Sequence, residues 1–186
     1  MPLRLEHALE TARLQIRPVT EGDLPALLAV NSDDAVTRYL PYASWRGIDD
    51  ARAWYTRMIG LQQAGSALQL VIVERSSATA IGSCLLFRLD EPSARAELGY
   101  VLGRAHWGRG YMHEALQRLL DCAFGELALR RLEAEVDPRN TASARVLTRL
   151  GFTAEGLLRE RWQTRGEPCS VTVFGLLQRE WAARQP

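Results

Sequence analysis

The stretch HWGRGYMHEALQRLLDCAF, residues 106–124, sets Gly108 and Gly110 one residue apart at the entrance to an amphipathic helix. Met112, Ala115, Leu116, Leu119, Leu120 and Ala123 recur at helical spacing and give that helix one apolar face. The segment before it, ARAELGYVLG, reads as a strand. A strand, a glycine turn and a helix in succession leave backbone N–H groups unsatisfied at the positive end of a helix dipole, which is an anion site. Gly108 and Gly110 let the backbone approach a ligand without a Cβ in the way. Arg109, Arg104 and His113 add positive charge nearby, and a diphosphate is the natural occupant.

A bare Gly-x-Gly also serves as a plain tight turn. A dinucleotide fingerprint would add a third glycine in the first strand–helix unit of a parallel sheet, and His113 stands at that position. A phosphate-binding P-loop would close with Gly-Lys-Ser/Thr, which is missing here.

The rest of the chain places this motif in a mixed sheet. RLQIRPVT reads as a strand closed by Pro18, and Thr20 as the N-cap of a helix over EGDLPALLAVN. DDAVTRYLPYASW reads as an aromatic loop, followed by a helix over ARAWYTRMIGLQQAG that stops near Gly60–Gly65. ALQLVIVER, ATAIGSCLLFRLD and ARAELGYVLG predict an antiparallel meander. After the glycine-led helix come a strand at LRRLEAEVD and a helix over TASARVLTRLGF capped by Gly151. Two strands then flank the TRGEP turn, and a helical turn follows at REWAARQ. The order β-α-α-β-β-β-α-β-α-β-β predicts an α+β domain of about seven strands with helices on the sheet's faces.

Length and composition set the outer bounds. The 186 residues suit one compact domain over residues 1–186, and 23 basic against 22 acidic residues give a net charge of +1. That balance argues against nucleic acid and anionic membranes as partners, and no apolar run is long enough to span a bilayer. MPLRLEHALETARL carries Glu6 and Glu10 and no apolar core, so it does not read as a signal peptide, and a cytoplasmic protein is expected. Cys84, Cys122 and Cys169 are odd in number and lack metal-ligand spacing, so they are expected reduced and buried, with no metal bound.

AELGYVLGRAHWGRGYMHEAL, then DPRNTASARVLTRLGF and AEGLLRE, together resemble the Gcn5-related N-acetyltransferase (GNAT) family. The closer similarity is to its ribosomal-protein N-terminal acetyltransferase branch, and it covers most of residues 12–181. The family pattern at the pyrophosphate turn, Arg/Gln-x-x-Gly-x-Gly/Ala, falls on Trp107 to Met112; it departs at the first and last positions and keeps Gly110 at the fourth. The resemblance implies the acyl-CoA N-acyltransferase fold, a mostly antiparallel sheet splayed between its fourth and fifth strands. It also implies acetyl-CoA as co-substrate, a primary amine as acceptor and transfer by direct attack in a ternary complex. Contacts to coenzyme A would come from Tyr100, Val101, Leu102, Trp107, Gly108, Arg109, Gly110, Tyr111, Met112, His113, Asn140 and Ser143.

Such chemistry needs a neutral amine, a polarised thioester carbonyl and a partner for the departing thiolate. The resemblance implies that a backbone N–H around Tyr100 to Leu102 polarises the carbonyl, that Asn140 contacts the pantetheine arm and that Ser143 meets the leaving sulfur. Asn140 is equally explained as a helix N-cap. Glu97 matches a frequent acidic position and is a candidate base, the alternative being a surface carboxylate or an ion pair with Arg95. Where ribosomal-protein enzymes carry a glutamate after the Gly-Phe pair this chain has Trp162, with Glu160 two residues earlier as a substitute base; the acid often seen after the RGE turn is replaced by Ser170. Tyr39, Tyr42, Trp45 and Trp162 are candidates to line the acceptor site, with packing as the rival explanation. A catalytically silent acyl-CoA-binding or sensory module stays open as a second function, and a homodimer stays open as an assembly.

Overall fold

In the computed structural model, described over residues 3–184, eight strands form one sheet in the order β1-β2-β3-β4-β5-β6-β8-β7. The strands are β1 (Leu9–Glu10), β2 (Leu14–Pro18), β3 (Leu68–Glu74), β4 (Thr79–Asp90), β5 (Arg95–Leu102), β6 (Arg131–Val136), β7 (Thr153–Thr164) and β8 (Glu167–Leu177). The helices are α1 (Leu24–Asn31), α2 (Asp34–Thr37), α3 (Ile48–Gln63), α4 (Tyr111–Gly125), α5 (Thr141–Leu150) and α6 (Gln178–Ala182). The two-residue β1 adds one strand to the seven the pattern predicts; it pairs with β2 and is too short to show alternation.

Every strand pair is antiparallel except β5–β6, which is parallel and holds only at Arg95↔Arg131, Ala96↔Leu132 and Glu97↔Glu133. Beyond Glu97 and Glu133 the two strands run on without pairing, β5 to Leu102 and β6 to Val136. The predicted splay is therefore present, between the fourth and fifth long strands.

The predicted apolar face of α4 is buried in full: Ala115, Leu116, Leu119, Leu120 and Ala123 have no exposed surface, and Met112 is nearly covered. It joins Ala96, Leu98, Leu132, Ala134, Leu147 and Leu150 in the larger core. Val19, Leu24, Leu27, Trp45, Ala51, Val71 and Val73 form the smaller core.

Local chemistry explains the departures from the sequence pattern. Asp33 caps α2 by accepting the Ala35 N–H at 2.9 Å, so part of the expected aromatic loop is a helical turn. Helix α3 stops at Gln63, within the expected Gly60–Gly65 stretch, and runs through Gly60 because one glycine in a helix costs only about 1 kcal/mol. Thr20 caps a 3-10 turn, Glu21–Asp23, that leads into α1, and its N–H and hydroxyl both donate to Asp23 at 2.8 Å. Gly151, at φ 95°, ends α5 as expected. Cys84 and Cys122 are buried, but Cys169 on β8 is only partly so; all three are free thiols. Of the predicted REWAARQ turn, Gln185 lies outside the described residues. No helix among the described residues is long and apolar enough to cross a membrane.

Candidate active site

The glycine turn adopts the conformation its sequence demands. Gly108 and Gly110 sit at φ 70° and 79°, in the left-handed region, and Gly110 is the N-cap of α4. A Cβ on Gly108 would meet nothing within 4 Å, so this side of the turn is open. Trp107 donates its indole N–H to the Leu102 carbonyl at 2.7 Å, with the ring 47% exposed beside the turn. Tyr111 and Met112 point inward and are buried. His106 and His113 each hold a buried Nδ1 without a hydrogen-bond partner among the described residues, and both flank the turn. Open backbone donors and two left-handed glycines fit a phosphate-bearing ligand at this helix entrance.

Arg13, which the sequence pattern did not single out, braces this turn. Its Nη1 donates to the Arg109 carbonyl at 3.0 Å, its Nε to Glu114 at 2.7 Å, and its guanidinium lies 4.3 Å from the centre of the Tyr111 ring. The Tyr111 hydroxyl donates to Glu74, which sits at the end of β3. Arg104 is committed elsewhere: its Nε pairs with Asp33 at 2.8 Å, tying the turn after β5 to α2 and withdrawing its charge from the anion site.

Asn140 caps α5 by accepting the Ser143 N–H at 3.2 Å. Ser143 Oγ lies 2.6 Å from the Tyr100 hydroxyl, which also donates to the Ser143 carbonyl at 3.3 Å. Burial pushes the Tyr100 phenol up to about 12, against the bond to Ser143, so it remains a neutral donor. Tyr100 thus enters the site through its hydroxyl, a role the sequence assigned only to its backbone.

Alternation along β5 puts Glu97 on the face opposite to Tyr100. Glu97 accepts from Arg88 Nη1 at 2.7 Å, while Arg95 turns to Glu133 at 2.6 Å and Asp90 at 3.2 Å; the alternative ion pair between Arg95 and Glu97 does not form. Burial raises the Glu97 carboxyl above its ordinary range; Arg88 opposes this, and the negative charges of Glu135 and Glu133 add to it.

Glu160 stands exposed on a bulge of β7 at φ 51°, its N–H donated to Ser170 Oγ at 3.2 Å. Trp162 faces back toward the sheet and donates its indole N–H to Glu135 at 2.7 Å. Trp45 is packed in the smaller core, 5.4 Å from the Trp54 ring. Tyr39 is flanked by two guanidiniums, Arg38 at 5.3 Å and Arg139 at 5.8 Å. Tyr42 donates to Asn31 at 3.0 Å. At the tip of the β7–β8 hairpin Arg165 donates to Thr37 at 3.3 Å, so the hairpin, α2 and the β6–α5 turn meet on one side of the sheet.

The Acetyltransferase (GNAT) domain model matches residues 13–153. The chain belongs to the GNAT acetyltransferase family. GNAT enzymes are acetyl-CoA-dependent and use an amine acceptor, and this chain is an N-acetyltransferase of that kind. It is 38% identical over 174 residues to an uncharacterized N-acetyltransferase, p20, of Bacillus licheniformis, covering 94% of this chain and 98% of that one. In fold it is similar to the ribosomal L7/L12 α-N-protein acetyltransferase RimL in complex with coenzyme A, with a TM-score of 0.84, 22% identity and 92% and 98% of the two chains covered. It is also similar in fold to spermidine N-acetyltransferase from Vibrio cholerae in complex with coenzyme A and spermine, with a TM-score of 0.81, 22% identity and 92% and 99% covered.

Proposed function

We propose that this GNAT enzyme acetylates a primary amine, a peptide N-terminal α-amine or a small-molecule amine, by direct attack in a ternary complex. The observation that carries the reading is the division of labour across the β5–β6 opening. The Tyr100–Ser143 pair stands on the α5 face and Glu97 on the opposite face. An amine can then add to the thioester carbonyl from the Glu97 side, and the tetrahedral intermediate can expel its thiolate toward the Tyr100–Ser143 side.

Acetyl-CoA supplies the activated acyl group. Backbone N–H groups from Gly108 to His113 hold its diphosphate, with Arg109 adding charge, Trp107 lining the approach, and Tyr111 and Met112 anchoring the helix start from within. Past Glu97, β5 keeps alternate backbone groups turned away from β4, and within Tyr100–Leu102 those of Tyr100 and Leu102, either side of Val101, orient the thioester and polarise its carbonyl. Asn140 holds the start of α5, so that Ser143 Oγ, oriented by Tyr100, meets the developing thiolate. Glu97 takes the proton of the attacking amine, directly or through water. Its raised proton affinity suits that task better than an ordinary surface carboxylate would. An α-amine, titrating near 8, is neutral far more often at pH 7 than a lysine amine near 10.4.

Tyr39 and Trp162 line the acceptor approach, under the hairpin tip. RimL acts on a protein N-terminus and the Vibrio cholerae enzyme is named for spermidine; both classes belong in the test. The experiment is a thiol-release assay with acetyl-CoA against short peptides of varied N-terminal residue, polyamines, amino acids and aminoglycosides. Turnover with one class is expected and names the acceptor. Binding of acetyl-CoA with no turnover on any amine would overturn the reading.

A further inference from the structure

Glu135 is the next residue after Glu133 on the same face of β6, the first such position beyond the last β5–β6 pair. Its side chain is only 9% exposed. A buried carboxylate of this kind has to be held, and three groups converge on it: Trp162 Nε1 at 2.7 Å, Arg161 Nε at 3.3 Å and Arg88 Nη1 at 3.9 Å. The same Arg88 nitrogen donates to Glu97 at 2.7 Å.

Both arms of this arrangement come from strained backbone. Arg88 and Glu160 are non-glycine residues with φ near 51°, and each lies in an irregular stretch of its strand. In β7 the register jumps from Leu158↔Val171 to Trp162↔Cys169, so two extra residues bulge out and aim Arg161 and Trp162 at Glu135. Left-handed conformations at such residues cost roughly 1–3 kcal/mol each, and they persist where the surroundings hold them. Both instances converge on one carboxylate.

The geometry points to Glu135 as a positioning residue for acceptor deprotonation: fixed by Trp162 and Arg161, it shares Arg88 with Glu97 and keeps Glu97 a proton acceptor. This rests on Glu97 taking the amine's proton. Around Glu97 stand Arg88 from β4 and Glu133 and Glu135 from β6. The remaining charges are turned elsewhere: Arg95 to Glu133 and Asp90, Arg131 to Glu133 and Glu155, and Arg161 to Glu135. Removing the Glu135 charge leaves Arg88 to Glu97 alone and deletes a like charge, and both changes make Glu97 a weaker base.

The test is a carboxyl-carbon NMR titration of the full chain labelled at glutamate, with the Glu97 resonance assigned by its loss in Glu97→Gln. In Glu135→Gln the Glu97 midpoint is expected to move to lower pH, roughly tenfold in proton affinity, with a change in Trp162 fluorescence. Glu135→Asp should bring the midpoint back toward wild type. Arg88→Met should move it the opposite way, and so keeps the proposal falsifiable if Glu135→Gln does not fold. An unmoved Glu97 midpoint in Glu135→Gln, or in Arg88→Met, overturns the proposal and reduces Glu135 to a structural anchor for the hairpin. Glu97→Gln that still turns over peptides or spermidine in the thiol-release assay overturns the base role of Glu97 instead. The titration result does not depend on that outcome.

Discussion

The Tyr100 hydroxyl and Ser143 Oγ lie 2.6 Å apart, joining β5 to α5 on the core face of the opening between β5 and β6. Of the two hydroxyls the serine belongs to the helix start that Asn140 caps, and the tyrosine comes from β5 beyond its last pair with β6. Ser143→Ala should lower kcat roughly a hundredfold, in the range of a lost charge-stabilising donor, and Tyr100→Phe roughly tenfold. Steady-state kinetics with a saturating acceptor, beside calorimetric coenzyme affinity, separates the roles. A change confined to the coenzyme Kd would leave Ser143 with binding alone.

Gly110 caps α4 at φ 79°, a conformation that costs a residue with a Cβ about 1–2 kcal/mol. In Gly110→Val the free turn should relax out of this conformation, so that restoring it on binding weakens acetyl-CoA affinity roughly five- to thirtyfold, since each 1.4 kcal/mol is tenfold, while thermal stability falls much less. Calorimetry on the variant checks this. Unchanged affinity would remove the turn from the coenzyme site.

With Glu97 as the proposed base, the pH dependence of kcat/KM should follow its carboxyl, which burial holds above its ordinary range. A base must be ionised, so activity should fall on acidification at a pH above the usual carboxylate range. In Glu97→Gln that limb should vanish and the residual rate should follow the amine's own titration. An acid limb that survives unaltered would assign it elsewhere.

Stability at low pH depends on the Arg17–Asp23 pair. Asp23 accepts from Arg17 at 2.8 Å through both oxygens and from the Thr20 N–H and hydroxyl at 2.8 Å. Burial alone would raise this carboxyl, yet the Arg17 and Thr20 bonds outweigh it and hold it below its ordinary range. A carboxyl lowered in the fold stabilises above its unfolded value, near 4, and loses that contribution as pH falls through and below it. Asp23→Asn should lose about 3 kcal/mol at pH 7, and the gap between the two proteins' melting temperatures should narrow as pH falls below about 4. A gap that stays constant between those pH values would show that the pair is not its source.

The sequence exposed most of what position along the chain determines. The α4 face, the Gly108–Gly110 turn, the Gly151 and Asn140 caps and the meander all follow from spacing and residue type, because each is local. What it did not expose are contacts made across the sheet. Glu135 sits in the alternation Arg131, Glu133, Glu135 and reads as a polar strand face; only the parting of β5 from β6 makes it the next carboxylate beside Glu97. Trp162 was aligned to a lost glutamate, and a two-residue bulge turns its indole onto another glutamate instead. Arg13 lies 96 residues from the carbonyl it braces, and nothing local to TARLQ announces that.

Only three residue pairs stitch β5 to β6, so the sheet is in effect two leaves sewn along a short seam. One leaf carries the meander and the other the β6–β8–β7 ladder, and the seam's open end lies toward Leu102 and Val136. Alternate amides and carbonyls along that open end have no strand to answer them. A ligand with its own amides can fill the place of an absent strand. Coenzyme occupancy would then register as slowed amide exchange along Tyr100–Leu102, in the strand that precedes the glycine turn, and as stiffening between two leaves that the bare fold joins at one end.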